Sequence, residues 1–194
     1  MKGGRKAAVA AILVALAAAA YCFLPRVAAP QPMEDRPLAL PVKDPRIVIR
    51  KAARELRLYD GAALLKRYRV VLGRGEGDKE REGDRRTPEG TYYVCTRNDR
   101  SRFHKFLGLS YPDPADAERG LGASMISRAE RDAIVAAHRD KRCPPWKTAL
   151  GGEVGIHGGG IGRDWTLGCI AMENRDVDEL WSVLRLGDPV VIQP

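Results

Sequence analysis

The sequence predicts a mainly β domain with helical insertions, preceded by an N-terminal hydrophobic segment. Three observations support this fold class. Short β-branched runs and a hairpin pattern recur over residues 46–96, and another apolar run closes the chain at 189–194. Helix-start signals occur only between residues 113 and 174. The 194 residues are enough for one ordinary domain with appendages, but not for two domains that each have a core.

The N-terminal segment predicts export. A basic start, MKGGRK, is followed by residues 7–24, which carry no charge. This pattern is typical of a signal peptide or a signal-anchor helix, to which we assign residues 1–24. The uncharged run has 18 residues, which reaches the lower end of the roughly 17–25 that span a bilayer. Either outcome places the rest of the chain outside the cytoplasm.

Proline content separates this segment from the domain. Six prolines fall within residues 25–45, a density that is typical of an extended linker. The folded domain is therefore expected over residues 46–194.

The charge of the chain argues against one class of partner. The sequence has 33 basic and 25 acidic residues, for a formal net charge of +8. Four of the positive charges lie in the first 26 residues, which contain no acid, so the remainder carries +4. No basic stripe with interleaved aromatic residues follows, and we expect no nucleic-acid partner.

The strands are predicted from short apolar runs. Residues 46–50 read RIVIR and form the first. Residues 56–59 and 66–73 form a hairpin around Asp60-Gly61, a candidate tight turn. Two later strands are expected, at 91–96 and at 189–194.

The segment between the hairpin and the next strand has a different composition. Residues 74–86, RGEGDKEREGDRR, are charged and rich in glycine. Composition alone predicts a solvated connector.

Three helices are predicted from their start signals. Asp113-Pro114 caps a short turn of helix, and Ser127 with Glu130 forms a capping box for a helix that ends near Arg139. A third helix opens at Asn174 and stops at Gly187. Its apolar face comprises Val177, Leu180, Trp181 and Leu184.

Residues 153–174 contain the candidate catalytic side chains. A predicted strand ends at His157, four of the next five residues are glycine, and Cys169 follows in Thr-Leu-Gly-Cys. Catalysis by a thiol needs a thiolate, a base that forms it, and donors for an oxyanion. Cys169, His157 and the backbone of a glycine-flanked turn can supply these. From spacing alone, a buried structural cysteine beside a satisfied histidine remains an equally good interpretation.

Other site types fit this stretch less well. His-Gly-Gly-Gly also occurs in α/β-hydrolases, but the Gly-x-Ser-x-Gly elbow that they require is absent. A zinc site built from Cys143, His157 and Cys169 lacks the short paired spacings of such sites, and we expect no metal. A phosphate loop would need a Lys-Ser/Thr ending, which is also absent.

These motifs together resemble a known family. His-Gly, a glycine-rich interval and then Thr-Leu-Gly-Cys-Ile is similar to the active-site signature of the YkuD-type L,D-transpeptidase catalytic domain. Residues 83–92, GDRRTPEGTY, resemble the segment that precedes a core strand in that family. Residues 109–112, LSYP, and 164–171, DWTLGCIA, resemble a murein L,D-transpeptidase subgroup. The resemblance covers roughly residues 46–193 and implies the L,D-transpeptidase catalytic fold.

The resemblance implies roles for individual residues. Cys169 falls at the position of the family's nucleophile and His157 at that of its general base. The carbonyl of Gly158 falls where the family orients that histidine. Thr166 occupies the Ser/Thr position, and Gly168 the glycine that shapes the oxyanion turn. By position in the resembling runs, Trp165 and Tyr111 are further candidates for substrate contact.

Two departures from the commoner family pattern affect substrate binding. Leu167 stands where many members have histidine, and Ala171 where they have arginine. If that arginine holds a substrate carboxylate, another cation must do so here, and Arg163 or Arg175 is expected to replace it.

The family implies a function that needs no cofactor. Cys169 would attack the carbonyl of the third stem-peptide residue of peptidoglycan, release D-Ala and leave a thioester. Attack by an amine of a neighbouring stem then forms a 3→3 cross-link, as in cell-wall synthesis that supports cell shape. The implied location is the periplasm, anchored to the inner membrane if residues 1–24 stay uncleaved. The alternatives are a hydrolase of the same fold, acting on stem peptides or their lipoprotein link, and a non-catalytic wall-binding module.

Two cysteines remain outside this scheme. Cys95 lies on a predicted strand and Cys143 in Arg-Cys-Pro-Pro-Trp. Two spare thiols in an exported domain can pair, but buried free cysteine is also common. We expect two free, unreactive thiols.

Overall fold

The computed structural model describes residues 36–194, which form one curled sheet with three helices. The strands are β1 (Pro45–Arg50), β2 (Glu55–Asp60), β3 (Ala63–Arg69), β4 (Gly90–Ser101), β5 (His104–Leu109), β6 (Gly155–His157), β7 (Ile170–Ala171) and β8 (Pro189–Gln193). The helices are α1 (Pro114–Gly122), α2 (Arg128–Arg139) and α3 (Asn174–Val183). The predicted mainly β class with helical insertions is confirmed.

The strand order brings distant parts of the chain together. The eight strands follow the order β3-β2-β1-β8-β4-β5-β6-β7. The β1–β8 and β6–β7 pairs are parallel, and the others are antiparallel. Beyond β3, Val71 pairs with Ala171 and Gly73 with Thr166, so the chain returns to the far end of the order. The sheet therefore curls, so that the segment after β3 at one end of the order pairs with β7 at the other.

One hydrophobic core fills the curled sheet. All eight strands contribute side chains to this core. The buried face of α3, which carries Val177, Leu180 and Val183, completes it. A smaller cluster of Ala117, Ile126, Ile134 and Leu150 packs α1 against α2. Burial of these side chains stabilises the domain, at roughly 1.5–3 kcal/mol for each large one.

The predicted hairpin is confirmed, with its turn displaced by one residue. Asp60 pairs with Ala63, so the two loop residues are Gly61 and Ala62. Gly61 has φ +55°, which favours glycine. Asp60 is the last residue of β2 and not part of the loop. Its carboxylate accepts hydrogen bonds from the backbone N–H groups of Lys43 and Asp44, at 3.2 and 2.8 Å.

The long β4–β5 hairpin was predicted only in part. β4 runs on from the expected 91–96 to Ser101, and β5 carries no start signal in the sequence. The extension is polar and exposed, so its strand structure comes from pairing with β5 rather than from an apolar pattern.

The helix caps follow the sequence closely. Capping boxes join Asp113 to Asp116 at α1 and Ser127 to Glu130 at α2. α3 begins at Asn174 as expected but ends at Val183, before the predicted stop at Gly187. None of the helices within residues 36–194 has the length and hydropathy that a bilayer crossing requires.

The predicted signal or anchor over residues 1–24 lies outside the described residues, as does the linker up to residue 35. The rest of the predicted linker contacts the domain. Val42 is buried, Leu38 packs against the core, and Pro45 opens β1.

The prediction of free thiols at Cys95 and Cys143 is wrong, because the two form a disulfide with Cα atoms 5.1 Å apart. The β4–β5 register shifts between Val94 and Thr96, so Cys95 sits at a bulge. The hydroxyl of Tyr93 donates to the carbonyl of Arg142 at 2.8 Å, which holds the segment after α2 against β4. The strand thus presents Cys95 to Cys143 instead of burying it.

Removing this disulfide should destabilise the domain. The bridge closes a loop of 48 residues, and loops of this size restrict the unfolded chain enough to contribute about 2–5 kcal/mol. We expect the double variant Cys95→Ala/Cys143→Ala to lose that much free energy of unfolding in urea denaturation. Cys169→Ala, which removes a thiol without touching the bridge, is the control. Equal stability of the double variant and the wild type would contradict the expectation.

His138 does not lie on a solvated face of α2. Its side chain is half-buried, and Nε2 lies 2.8 Å from the Ser110 carbonyl and 3.0 Å from the Pro112 carbonyl. The Tyr93 ring packs against it at 5.4 Å. His138 therefore fastens α2 to the end of β5.

Candidate active site

The end of β6 and the start of β7 bring the two candidate catalytic side chains together. These strands are parallel neighbours, with Ile156 opposite Ile170 and His157 opposite Ala171. Cys169 directly precedes β7, so the loop of residues 158–168 returns it to the level of β6. Both His157 and Cys169 line one cleft of about 1100 Å³.

His157 is held as a neutral imidazole. Its ring is buried, with 2% of the residue exposed, and Nδ1 lies 2.6 Å from the carbonyl of Gly158. A carbonyl can only accept, so Nδ1 carries the proton and Nε2 is left as a proton acceptor. Burial lowers the pKa of His157, and the bond to Gly158 offsets this only in part.

Aromatic rings fix the orientation of that imidazole. Phe103 stacks on it with ring centres 4.8 Å apart, and Trp165 meets it edge-on at 5.5 Å. The Trp165 indole N–H donates to the Gly160 carbonyl at 3.2 Å, which ties the ring to the loop. These contacts leave His157 little rotational freedom.

Cys169 is a protonated thiol at rest. Its Sγ donates to the carbonyl of Glu153 at 3.4 Å, and the side chain keeps partial access to the cleft. Burial raises the pKa of the thiol to about 11, and the Glu153 charge acts in the same direction against a backbone hydrogen bond from Gly155. A base is therefore needed to form the thiolate at neutral pH.

The turn before Cys169 is rigid. Thr166 Oγ1 donates to the carbonyl of Cys169 at 2.7 Å and accepts the N–H of Gly168 at 3.2 Å. Gly168 has φ +139°, and a Cβ there would lie 2.8 Å from the Arg86 carbonyl oxygen. Only glycine fits at this position, and the hydrogen bonds of Thr166 hold the turn that precedes the thiol.

The charged segment over residues 74–86 is a largely exposed connector, as its composition predicts, but it contains one buried ion pair. Lys79 and Asp84 form a buried ion pair at 2.8 Å, with 3% and 7% of their side chains exposed. Burial alone would raise the pKa of Asp84, but Lys79 and three backbone N–H groups outweigh it and lower the pKa. The segment is folded around this pair and forms a wall of the cleft.

The other walls come from the β4–β5 hairpin and from the segment before β6. Aromatic side chains of Phe103, Phe106, Trp146 and Trp165 line the cleft. So do three arginines that form no ion pair within residues 36–194, namely Arg85, Arg100 and Arg102. Sequence reasoning missed Arg100, Arg102 and Phe103, because the hairpin tip carries no motif.

Three predicted substrate contacts lie elsewhere. Tyr111 is fully buried, and its hydroxyl donates to the Leu150 carbonyl at 3.0 Å. Arg163 lines a separate depression of about 470 Å³, together with Arg54 and Asp164. Arg175 is exposed on α3 and pairs with Asp176 at 3.5 Å. None of the three lines the cleft.

The placement of Arg163 has a physical reason. The neighbouring Asp164 carboxylate accepts hydrogen bonds from the Arg54 guanidinium at 2.7 Å and from the backbone N–H of Leu72 at 2.9 Å. This anchor holds residues 161–164 against the β1–β2 turn, so Arg163 lines the depression there and not the cleft of Cys169.

A metal site finds no support in this part of the chain. Within residues 36–194, no three His, Cys, Asp or Glu side chains are grouped as metal ligands. Cys143, required by the zinc alternative, is bonded to Cys95 and cannot act as a thiolate ligand.

The raised thiol pKa predicts slow alkylation of Cys169 at neutral pH. Only the thiolate reacts, and its fraction rises tenfold per pH unit until the pH passes the pKa of about 11. We expect the rate of iodoacetamide labelling at Cys169, followed by peptide mass spectrometry, to climb through pH 10 without a plateau. N-acetylcysteine, whose thiol is unperturbed, is the reference. A plateau at Cys169 below pH 9 would contradict the expectation.

The cleft of the curled sheet is lined by a thiol and a buried imidazole. Proteins of this class have the groups that cysteine-based catalysis needs. The family model of the L,D-transpeptidase catalytic domain, YkuD, matches residues 44–192. The chain belongs to this family, and the predicted membership and fold are confirmed.

A curated relative agrees with this membership. The chain is 27% identical over 157 residues to YafK of Escherichia coli strain K12, which is provisionally named an L,D-transpeptidase. The match covers 75% of this chain and 50% of YafK, so the chain spans about half the length of that relative.

Solved structures share the fold. The helical cell shape determining protein Pgp2 from Campylobacter jejuni is similar with a TM-score of 0.52 and 20% identity, over 83% of this chain and 51% of Pgp2. Bd1075 from Bdellovibrio bacteriovorus is similar with a TM-score of 0.50 and 19% identity, over 78% of this chain and 48% of that chain. At these identities the likeness concerns the fold alone.

Proposed function

We propose that this protein is a cysteine-dependent peptidoglycan L,D-transpeptidase that forms 3→3 stem-peptide cross-links. The observation that carries the proposal is the shared cleft, within a YkuD domain, of a thiol and an imidazole whose Nε2 is free to accept a proton. The substrate class follows from the family, whose described activity is L,D-transpeptidation.

In the first half-reaction, His157 Nε2 takes the proton of the Cys169 thiol as the sulfur attacks the carbonyl of the third stem residue. The backbone N–H of Cys169 stabilises the oxyanion, while that of Gly168 is bonded to Thr166 Oγ1 and holds the turn in place. The intermediate collapses, His157 returns the proton to the departing D-Ala amine, and a thioester remains on Cys169.

In the second half-reaction, an amine of a neighbouring stem attacks the thioester. His157 accepts a proton from that amine and delivers it to the departing sulfur, which restores the thiol. Water in place of the amine would make the protein a carboxypeptidase. Neither step requires a cofactor.

The substrate also suggests where the protein acts. Peptidoglycan is extracytoplasmic, so the domain works in the periplasm. The basic start at residues 1–6 and the uncharged run at residues 7–24 support export. Residues 1–24 are either cleaved after export or hold the domain at the inner membrane.

The arginines of the cleft replace Arg163 as candidates for the donor carboxylate. The Arg102 guanidinium lies 4.8 Å from the centre of the Phe103 ring, which itself stacks on His157. A cation placed there can receive a stem carboxylate near the reacting bond.

Arg102→Met should therefore lower kcat/KM for a tetrapeptide donor by roughly 10- to 100-fold, the usual effect of losing a charge-assisted hydrogen bond. Methionine keeps the apolar contact with Phe103. Arg163→Met, an equal loss of charge outside the cleft, is the matched control. A larger loss of kcat/KM in Arg163→Met than in Arg102→Met would support the sequence-based expectation that Arg163 holds the carboxylate.

Incubation with a disaccharide-tetrapeptide followed by mass spectrometry tests the proposed function. A transpeptidase yields 3→3 dimers and free D-Ala. Tripeptide monomers alone would establish the hydrolase alternative. Absence of any acyl-enzyme, with tetrapeptide or with a carbapenem, would establish a non-catalytic module.

A further inference from the structure

Glu153 occupies a backbone position that favours glycine. It follows Gly151 and Gly152, lies two residues before β6, and has φ +54°. A side chain in this left-handed region costs free energy that glycine would not. The position nevertheless carries a long acidic side chain, exposed on the cleft wall beside Cys169.

The Glu153 carboxylate is free to meet a ligand. It forms no ion pair or side-chain hydrogen bond within residues 36–194, while its own backbone carbonyl accepts the Cys169 thiol at 3.4 Å. Its charge also contributes to the raised pKa of that thiol. Glu153 thus lines the same cleft as the thiol, where its charge disfavours the thiolate that the first half-reaction needs and that of Lys79 favours it.

The second half-reaction reverses this disadvantage. Once Cys169 is acylated, the sulfur is part of a neutral thioester and no longer repels a carboxylate. The incoming primary amine is an ammonium ion at neutral pH, since such amines have pKa values near 10.4. A carboxylate next to the thioester would attract that cation to the carbon it must attack.

Glu153 and two of the cleft arginines lie towards opposite ends of β6. Gly108 pairs with Gly155 and Phe106 with His157, so Glu153 lies beyond one end of β6 and the hairpin tip beyond the other. Arg100 and Arg102 are on that tip. Arg100 and Arg102 are thus separated from Glu153 along β6 and form no ion pair with it. Lys79 also lines the cleft, but Asp84 pairs with its charge at 2.8 Å.

We propose that Glu153 binds the acceptor ammonium at the Cys169 thioester and removes its first proton. This inference rests on the proposed function and names the acceptor as a cationic primary amine.

The step balances as follows. The ammonium gives one proton to the Glu153 carboxylate and becomes a neutral amine, which attacks the thioester carbon. His157 takes the second proton as the C–N bond forms and passes it to Cys169 Sγ as the C–S bond breaks. Glu153 then releases its proton to solvent, so the products are an amide, a thiol and one proton.

Glu153→Gln tests the proposal, because glutamine keeps the size and hydrogen-bonding capacity but not the charge. The wild type and the variant are acylated with a disaccharide-tetrapeptide and resolved with one of two nucleophiles at pH 7. Nα-acetyllysine offers an ammonium, whereas hydroxylamine is an uncharged amine at that pH. Glu76→Gln removes the same charge from an exposed site outside the cleft and is the matched control.

We expect Glu153→Gln to lose roughly tenfold or more in the rate of aminolysis by Nα-acetyllysine and little in that by hydroxylamine. Iodoacetamide alkylation of its Cys169 should be faster than in the wild type. Glu76→Gln should behave as the wild type in all three measurements.

The failures of this inference and of the proposed function are distinguishable. If the wild type forms an acyl-enzyme and the variant loses neither reaction, or both equally, Glu153 has no acceptor role. If the wild type forms no acyl-enzyme from the tetrapeptide, the proposed function itself is wrong, and the acceptor role falls with it.

Discussion

Cys169→Ala is expected to abolish acyl transfer and covalent labelling by carbapenems. The variant loses the sulfur that would carry the thioester, and nucleophile removal in other covalent enzymes lowers kcat by roughly 10⁶-fold. Within residues 36–194 no other thiol can substitute, because Cys95 and Cys143 are bonded to each other. Intact-protein mass spectrometry after exposure to tetrapeptide or carbapenem measures the effect.

The fold of this variant should survive. The Sγ makes one weak hydrogen bond, to the Glu153 carbonyl at 3.4 Å, and the turn is held instead by Thr166 and Gly168. Its unfolding transition in urea should therefore match that of the wild type. Retained labelling in a folded Cys169→Ala protein would disprove the assignment of the nucleophile.

His157→Ala is expected to lower kcat/KM by roughly 10²- to 10⁴-fold, as is typical when a general base is removed. The effect should be large here because the thiol pKa of about 11 leaves almost no thiolate without a base. Steady-state release of D-Ala from a tetrapeptide measures it. His104→Ala is the control, since that ring is exposed, pairs with Asp178 at 2.8 Å and does not line the cleft.

The pH profile gives a second test of His157. The imidazole must be neutral to accept the thiol proton, and burial lowers its pKa from the ordinary 6.5. Activity should therefore be retained down to pH 6.5 and fall only as the pH drops through the lower pKa of the folded protein. An acid limb centred above 6.5, or a loss from His104→Ala equal to that from His157→Ala, would show that another group is the base.

The two halves of the mechanism place opposing demands on one cleft. Acylation needs a thiolate, while Glu153 and burial both disfavour it. In the proposed mechanism, the neutral, ring-stacked His157 compensates by accepting the proton only as the bond forms. Such a mechanism would leave the resting thiol unreactive towards other electrophiles and direct its reactivity to a substrate bound beside the imidazole.

Features governed by neighbouring residues could be read from the sequence. The strand at 46–50, the hairpin at Gly61 and the capping box of Ser127 with Glu130 depend on contacts within a few residues, so their local pattern was sufficient. The candidate pair of Cys169 and His157 was identified in the same way, because its signature lies within one short stretch.

Features that join distant segments were decided by the tertiary structure. The Cys95–Cys143 bridge depends on a bulge in β4 and on the docking of α2, and composition could not indicate that Lys79 and Asp84 would be buried together. Arg102 and Glu153 reach the cleft only because β5 and β6 pair and the sheet curls. The sequence alone therefore determined the family and indicated Cys169 and His157 as the candidate reacting groups. The tertiary structure decided which charges surround them, because those charges come from residues far apart in the chain whose proximity depends on sheet pairing.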